Sequence, residues 1–149
     1  MLRRYTLFAA RFTVGIVFII ASIDKIYSPD AFAASIHSYL LLPDWLVNIT
    51  ALVIPWLELL CGMSLVVGCK LRAGSFLSAV MLGVFTLAIV SALMRGLTID
   101  CGCFGKEHAS PVSWMKVLED IGLALLSVYI FTMADREKGE PAASAALPD

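Results

Sequence analysis

The stretch AGSFLSAVMLGVFTLAIVSALM, residues 73–94, decides the fold class because it contains no charged side chain. A run of about 20 apolar residues is long enough to cross the hydrocarbon core of a bilayer as an α-helix. The whole 149-residue chain shares this character, with 60% hydrophobic and 15% charged residues. In soluble domains, hydrophobic residues make up roughly 45–50% of the chain and charged residues about 25%. The sequence therefore predicts an all-α, polytopic membrane protein.

Apolar runs on both sides of this stretch extend the prediction to a bundle of four transmembrane helices. The spans are expected at about residues 5–23, 46–68, 73–94 and 112–134. Together they form one predicted membrane domain, residues 1–134. Residues 135–149 are charged and then rich in alanine and proline, so they are expected to form a disordered cytoplasmic tail.

A shorter, amphipathic helix is predicted between the first and second spans. The sequence SPD at residues 28–30 is typical of a helix start, with a capping serine, a proline in the first turn and an acid after it. Phe32, Ile36 and Tyr39 then recur at helical spacing, and Pro43 ends the helix. Since it is too short to span, it is expected to lie at the membrane surface over the mouth of the bundle.

Ionisable residues inside the predicted spans or at their ends are costly to bury unless they are paired, and they mark candidate functional sites. Arg11, Lys25, Glu58 and Asp120 are interpreted as candidate cofactor-binding residues, with a quinone headgroup as the cofactor. Counting ~1.5 Å per residue from the ends of the spans places Arg11 and Glu58 at similar depth, so they are predicted to pair. Such a pair would hold the first two spans together, or would form a proton or quinone contact inside the bundle.

The distribution of basic residues predicts the orientation, because cytoplasmic loops carry an excess of lysine and arginine. One side of the predicted spans has Arg3, Arg4, Lys70, Arg72, Arg136 and Lys138. Both termini are therefore expected in the cytoplasm of a bacterium, with the protein in its inner membrane. The net charge of −1 offers no basic surface for nucleic acid.

The connection between the third and fourth spans contains DCGCFG at residues 100–105. Two thiols separated by one glycine form a disulfide only in a strained geometry, and a strained bridge is easily reduced. Cys101 and Cys103 are therefore the candidate catalytic residues for thiol–disulfide exchange on the oxidising, outer side of the membrane. Cys61 is interpreted as a small apolar filler, and Cys69 lies at the cytoplasmic end, so neither is a catalytic candidate.

Two other interpretations of the same cysteines stay open. Cys101 and Cys103 could bind a soft metal ion with His108 or His37 as a further ligand. Zinc sites, however, usually have C-x₂₋₄-C spacing and four ligands. Alternatively, the segment is structural, and the protein is a non-catalytic accessory subunit that anchors a partner in the membrane.

The chain resembles the DoxX-like superfamily, and most closely the methylamine-utilisation MauE family, over about residues 11–132. The resemblance rests on PWLE at residues 55–58, RGL at 95–97 and IDCGCFG at 99–105. It implies a four-helix membrane bundle that supports maturation of the disulfide-rich small subunit of methylamine dehydrogenase, alongside a periplasmic thioredoxin-like protein. The chain is also similar in outline to quinone-linked thiol oxidoreductases of the DsbB and vitamin K epoxide reductase types, but it lacks their C-x-x-C pair.

The predicted function is thus that of an inner-membrane thiol–disulfide redox protein, a candidate thiol–disulfide oxidoreductase. Its expected partners are a periplasmic thioredoxin-like protein and membrane lipid, and its candidate cofactor is a quinone.

Overall fold

The computed structural model of the protein describes residues 2–97 and 113–144, with side chains for 5–97 and 113–134. The helices are α1 (Leu2–Tyr27), α2 (Pro29–Ser38), α3 (Asp44–Val67), α4 (Leu71–Met94) and α5 (Trp114–Ser144). No β-strand occurs in these two stretches. The predicted all-α class is therefore confirmed.

Four of the helices are long and apolar enough to cross a membrane. The candidate spans are Tyr5–Tyr27, Asp44–Val67, Leu71–Met94 and Trp114–Ala134. Many large apolar side chains point outward from them and are exposed, which suits surroundings of lipid tails that are as apolar as leucine. The protein is a polytopic membrane protein built as a four-helix bundle, as predicted.

The backbone of α5 remains helical beyond the last span, from Ala134 to Ser144. This stretch overlaps residues 135–149, and the disordered cytoplasmic tail expected there stays a prediction. Arginine, glutamate, lysine and alanine in residues 135–144 favour a helix, whereas Gly139 and Pro141 disfavour it. Residues 145–149 lie outside the described part of the chain.

The antiparallel helices α1 and α3 cross at two glycines. A Cβ atom on Gly62 would lie 2.8 Å from the carbonyl oxygen of Gly15, and one on Gly15 would lie 3.0 Å from the carbonyl oxygen of Gly62. Only glycine allows two helix backbones to approach so closely. Small residues at the crossing are typical of membrane helices, which associate by close packing rather than by exclusion of water.

The bundle consists of two helix pairs, α1 with α3 and α4 with α5, which contact each other less extensively. One apolar cluster contains Leu7, Ala10, Val14, Phe18, Cys61, Leu65, Leu82 and Ile130. A second cluster contains Tyr39, Ile89, Ala92 and Val117. Cys61 is 3% exposed in the first cluster, where it fills space as an apolar side chain would.

The short helix α2 lies at the end of the bundle where α1 and α4 finish and α3 and α5 begin, here called the α2 end. It packs against α3 and α1 and buries Phe32. Proline stands at its first position as predicted, although Ser28 makes no capping hydrogen bond. The chain after α2 is tied to α4 because Arg95 Nη1 donates to the carbonyl oxygen of Tyr39 at 2.9 Å.

The glycine crossing makes a testable prediction about stability. Gly62→Ala should lower the free energy of unfolding by about 1–3 kcal/mol, because the added methyl group overpacks the contact with the Gly15 backbone. Gly83→Ala is the matched control, since a Cβ there meets nothing within 4 Å. Reversible denaturation of the purified protein in detergent measures both, and an equal effect of the two substitutions would contradict the close crossing.

Candidate functional site

The centre of the site is a buried ion pair between α1 and α3. Lys25 Nζ lies 2.6 Å from Glu58 Oε1 and 2.8 Å from Glu58 Oε2, so both carboxylate oxygens accept from the same ammonium group. The side chains are 5% and 13% exposed, respectively. Two charges so far from water are stable only as a pair, because an isolated buried charge loses its solvation without compensation.

Aromatic rings complete the surroundings of the ammonium group. Lys25 Nζ lies 5.1 Å from the centroid of the Phe32 ring and 5.8 Å from that of Phe85. Cations are attracted to the faces of aromatic rings at such distances. Residues from α1, α2, α3 and α4 therefore fix the position of one lysine.

A second group of charges enters from the first turns of α5. Lys116 Nζ lies 2.8 Å from Glu119 Oε2, as the i,i+3 spacing predicts. Asp120 is 9% exposed, and its Oδ2 atom has no hydrogen-bond partner among the described residues. A buried acceptor without a donor costs about 1–3 kcal/mol, which makes Asp120 an unusual feature of this end of the bundle.

Tyr39 covers this group at the α2 end. It lies outside the membrane-spanning segments and is 5% exposed. Burial raises the pKa of its phenol to about 12, and the negative charge of Asp120 adds to the rise. The hydroxyl group therefore stays protonated and remains a hydrogen-bond donor at physiological pH.

The predicted pairing of Arg11 with Glu58 is wrong. Arg11 Nε instead donates to the carbonyl oxygen of Leu65 at 3.1 Å, and its guanidinium group packs against Gly68. Leu65 lies in the last turn of α3, where carbonyl groups lack helical partners and the helix dipole favours a cation. The glycine crossing sets this register, so that Arg11 stabilises the end of α3 while Lys25 reaches Glu58.

The two helix pairs enclose a space of about 610 Å³, here called the chamber. Its charged lining consists of Lys25, Glu58, Lys116, Glu119 and Asp120, and its other lining residues are apolar apart from Gly122. Along α5 the charged residues come first and the apolar ones follow. The chamber is therefore polar towards the α2 end and apolar deeper in the bundle.

The structure brings together three of the four predicted cofactor-binding residues. Lys25, Glu58 and Asp120 line the chamber, whereas Arg11 does not. The predicted catalytic residues Cys101 and Cys103 and the alternative metal ligand His108 lie outside the described residues.

His37, the other alternative metal ligand, is exposed. Its Nε2 atom lies 3.1 Å from Asp44 Oδ1, and the two side chains form an ion pair on the surface when the imidazole is protonated. Within residues 2–97 and 113–144, no group of three or more histidine, cysteine or acidic residues is arranged to hold a metal ion.

The sequence carries no signal for the aromatic part of the site. The spacing of Phe32 and Tyr39 predicts only the apolar face of α2 and gives no sign of a nearby charge. Phe85 lies in a span without charged residues, so nothing in its neighbourhood indicates a contact with Lys25. A lysine at the end of a span is the one available signal, since a buried ammonium group favours aromatic neighbours.

Comparison with known families identifies the chain's relatives. The sequence model of the family described as "Methylamine utilisation protein MauE" matches residues 3–133, which is most of the chain. The protein belongs to the MauE family. Its resemblance to that family, inferred from the PWLE and CGCFG motifs, is confirmed.

Individual relatives agree with this assignment. Methylamine utilization protein MauE of Paracoccus denitrificans is 32% identical over 133 residues, covering 89% of this chain and 72% of that protein. The MauE protein of Methylophilus methylotrophus is 36% identical over 126 residues, covering 83% of this chain and 66% of that protein. Protein TlpB of Flavobacterium psychrophilum is 28% identical over 142 residues, or 38% of its length. No solved structure matches the chain.

The buried ion pair predicts strong energetic coupling between its members. Lys25→Met and Glu58→Leu should each lower the free energy of unfolding by about 3–5 kcal/mol, because each leaves one buried charge unpaired. The double variant should lose far less than the sum, since two apolar side chains replace the pair. A double-mutant cycle of unfolding in detergent measures the coupling.

The pair Lys116→Met and Glu119→Leu is the control for this cycle. Its members are 20% and 54% exposed, so each substitution should cost less than about 1 kcal/mol. Additive losses at Lys25 and Glu58 would show that the two side chains do not stabilise each other.

Proposed function

We propose that this member of the MauE family is a thiol–disulfide redox protein of the bacterial inner membrane. In this proposal it helps a periplasmic partner of methylamine utilisation to acquire its disulfides, as in the maturation of methylamine dehydrogenase. The family description supports the process, and the cysteine pair at Cys101 and Cys103 supports the chemistry. The observation that carries the proposal is the position in the bundle of Leu97 and Ser113, the residues on either side of the segment that contains Cys101 and Cys103.

Both attachments lie next to the charged part of the chamber. Leu97, which precedes the segment, packs against the apolar cluster that includes Tyr39. Ser113, which follows it, accepts a hydrogen bond from the backbone N–H of Lys116 at 3.0 Å. The chain therefore leaves α4 and enters α5 beside the acids and bases of the site, which suits a thiol pair whose chemistry involves protons.

The proposed chemistry is a dithiol–disulfide exchange. A thiolate of the partner attacks one sulfur of the Cys101–Cys103 disulfide. The bond between the two cysteines breaks, the other cysteine leaves as a thiolate that takes up a proton, and a mixed disulfide forms. The partner's second thiolate then breaks the mixed bond, so the partner gains a disulfide and Cys101 and Cys103 become a dithiol. Two electrons and two protons have moved to the membrane protein. A membrane quinone, when bound, would supply the oxidant that takes them up and is released as a quinol.

The charge distribution supports the side of the membrane on which this exchange is proposed. The excess of lysine and arginine on one side predicts cytoplasmic termini, which puts the segment between α4 and α5 on the periplasmic side. Disulfides form and persist in that compartment. The proposed exchange partner, which the resemblance to the MauE family implies, is a periplasmic thioredoxin-like protein that passes the disulfide on to the small subunit of methylamine dehydrogenase.

Thiol labelling in intact cells tests this proposal. We expect Cys101 and Cys103 to react with a membrane-impermeant maleimide only after treatment with a reductant, because they are bridged in the resting state. Cys101→Ser together with Cys103→Ser should abolish formation of disulfides in the small subunit of methylamine dehydrogenase, as read by its mobility on non-reducing gels. The matched control is Cys69→Ser, since this exposed cysteine is not part of the pair.

Two outcomes would overturn the redox role in favour of the alternatives. Normal disulfide formation in the double serine variant would favour an accessory subunit that anchors a partner. A stoichiometric soft metal ion in anaerobically purified protein, lost in the same variant, would favour metal binding by Cys101, Cys103 and His108.

A further inference from the structure

We propose that the chamber binds a membrane-soluble amphiphile whose small, uncharged head carries hydroxyl groups and whose tail is long and apolar. A prenylated quinol has this chemistry. The head would donate a hydrogen bond to Asp120 Oδ2 and accept one from Lys25 Nζ. This inference deepens the proposed function, on which the choice of a quinol rests, by assigning its residues and its route of entry. The binding site for an amphiphile follows from the geometry and lining of the chamber and does not depend on the proposed function.

The size and lining of the chamber suit such a molecule. Its volume of about 610 Å³ lies within the roughly 300–1,000 Å³ of small-molecule sites, which are mostly apolar with a few placed polar groups. The deeper wall includes Val17, Phe18, Leu123 and Leu126, which offer contacts only to an apolar chain. The polar groups at one end and the apolar wall beyond them match the two parts of an amphiphile.

Asp120 is the reason why the ligand has to carry a hydrogen-bond donor. Its side chain is more than nine-tenths buried, it lines the chamber, and Oδ2 has no partner among the described residues. A buried carboxylate oxygen without a donor is destabilising, and a hydroxyl group of a ligand would remove this cost. A ligand with ether oxygens only would leave Asp120 unsatisfied. An oxidised quinone would accept from Lys25 alone, and its head would gain the hydrogen bond to Asp120 when it is reduced to the quinol.

Lys25 is the reason why the ligand has to carry a hydrogen-bond acceptor. An ammonium group has three N–H donors, and Glu58 accepts at two short distances, 2.6 Å and 2.8 Å. Phe32 and Phe85 lie beside the same nitrogen and offer no lone-pair acceptor. Since Lys25 also lines the chamber, its remaining N–H would donate to an oxygen atom of the ligand there.

The charges of the lining argue against a phospholipid headgroup. Two ammonium groups, on Lys25 and Lys116, face three carboxylates, on Glu58, Glu119 and Asp120. The formal sum is +2 − 3 = −1, so a phosphate would add like charge to a partly buried negative site. An uncharged head that donates hydrogen bonds avoids this repulsion.

The route of entry lies between the helices, from the lipid. Val80 and Val84 of α4 line the chamber although they are 44% and 65% exposed, so the chamber opens at their side of the bundle. Gly122 of α5 also lines the chamber, and a Cβ at this position would meet nothing within 4 Å. A larger side chain at residue 122 would therefore occupy chamber space without displacing the backbone.

Calorimetric titration with a decyl-tailed benzoquinol, kept reduced under anaerobic conditions, tests the inference. The protein is the full chain in detergent with Cys101→Ser and Cys103→Ser, so that no thiol chemistry accompanies binding. We expect one saturable site per chain. The dimethyl ether of the same quinol should bind about tenfold to a hundredfold more weakly, because it has no hydroxyl group to donate to Asp120. Asp120→Leu should weaken quinol binding similarly and remove the preference over the ether.

Two glycine variants form the matched pair for the location of the site. Gly122→Leu should abolish saturable binding, whereas Gly83→Leu should leave it unchanged, since residue 83 also has open space around it but does not line the chamber. If Gly122→Leu does not fold, the comparison of quinol with ether still decides. Equal binding of both ligands, equal effects of the two leucine variants, or displacement of the quinol by dioctanoyl phosphatidylglycerol would overturn the inference.

The outcome is separable from that of the redox role. Quinol binding in the serine variant, together with normal disulfide formation in cells, would retain the site and refute the proposed function. Disulfide formation that depends on the cysteine pair, without quinol binding, would retain the proposed function and refute the quinol site.

Discussion

The close approach of α1 and α3 at Gly15 and Gly62 determines the rest of the architecture. Membrane helices gain little from hiding apolar surface from lipid, so they associate where their backbones can approach and pack. This contact sets the register between the two helices. Arg11 consequently lies at the last turn of α3, where carbonyl groups accept from it, and Lys25 lies within reach of Glu58. Arg11 and Lys25, two of the four cationic residues of α1, are thus compensated by one helix.

Much of the fold could be predicted from the sequence because a bilayer leaves few choices. An uncharged stretch such as residues 73–94 has to be a helix that satisfies its own backbone, and helix α2 begins at Pro29 as its start signal indicates. The pairing of charges could not be predicted in the same way. A residue count from the span ends places Arg11 and Glu58 at similar depth only if α1 begins at the level where α3 finishes. In the structure, α1 begins well before that level. Register depends on side-chain contacts such as that of the two glycines.

The candidate site shows a similar division. The costs of burying charge pointed to Lys25, Glu58 and Asp120 individually, and the structure places all three around the chamber. The aromatic neighbours Phe32 and Phe85 carried no signal, because an apolar ring near a charge has the same sequence pattern as any core residue. The site therefore combines side chains that are expensive to bury with side chains that make their burial tolerable.

The separation of the bundle into two helix pairs has a consequence for how the protein is made. A chain emerging from the ribosome presents its N-terminal half first. Since α1 and α3 contain each other's charge partners, this hairpin can leave the insertion machinery with Arg11, Lys25 and Glu58 already neutralised or hydrogen-bonded. Asp120 arrives later, on α5, and is buried against a surface that is already complete. Biogenesis therefore finishes the stabilising pair before it assembles the chamber.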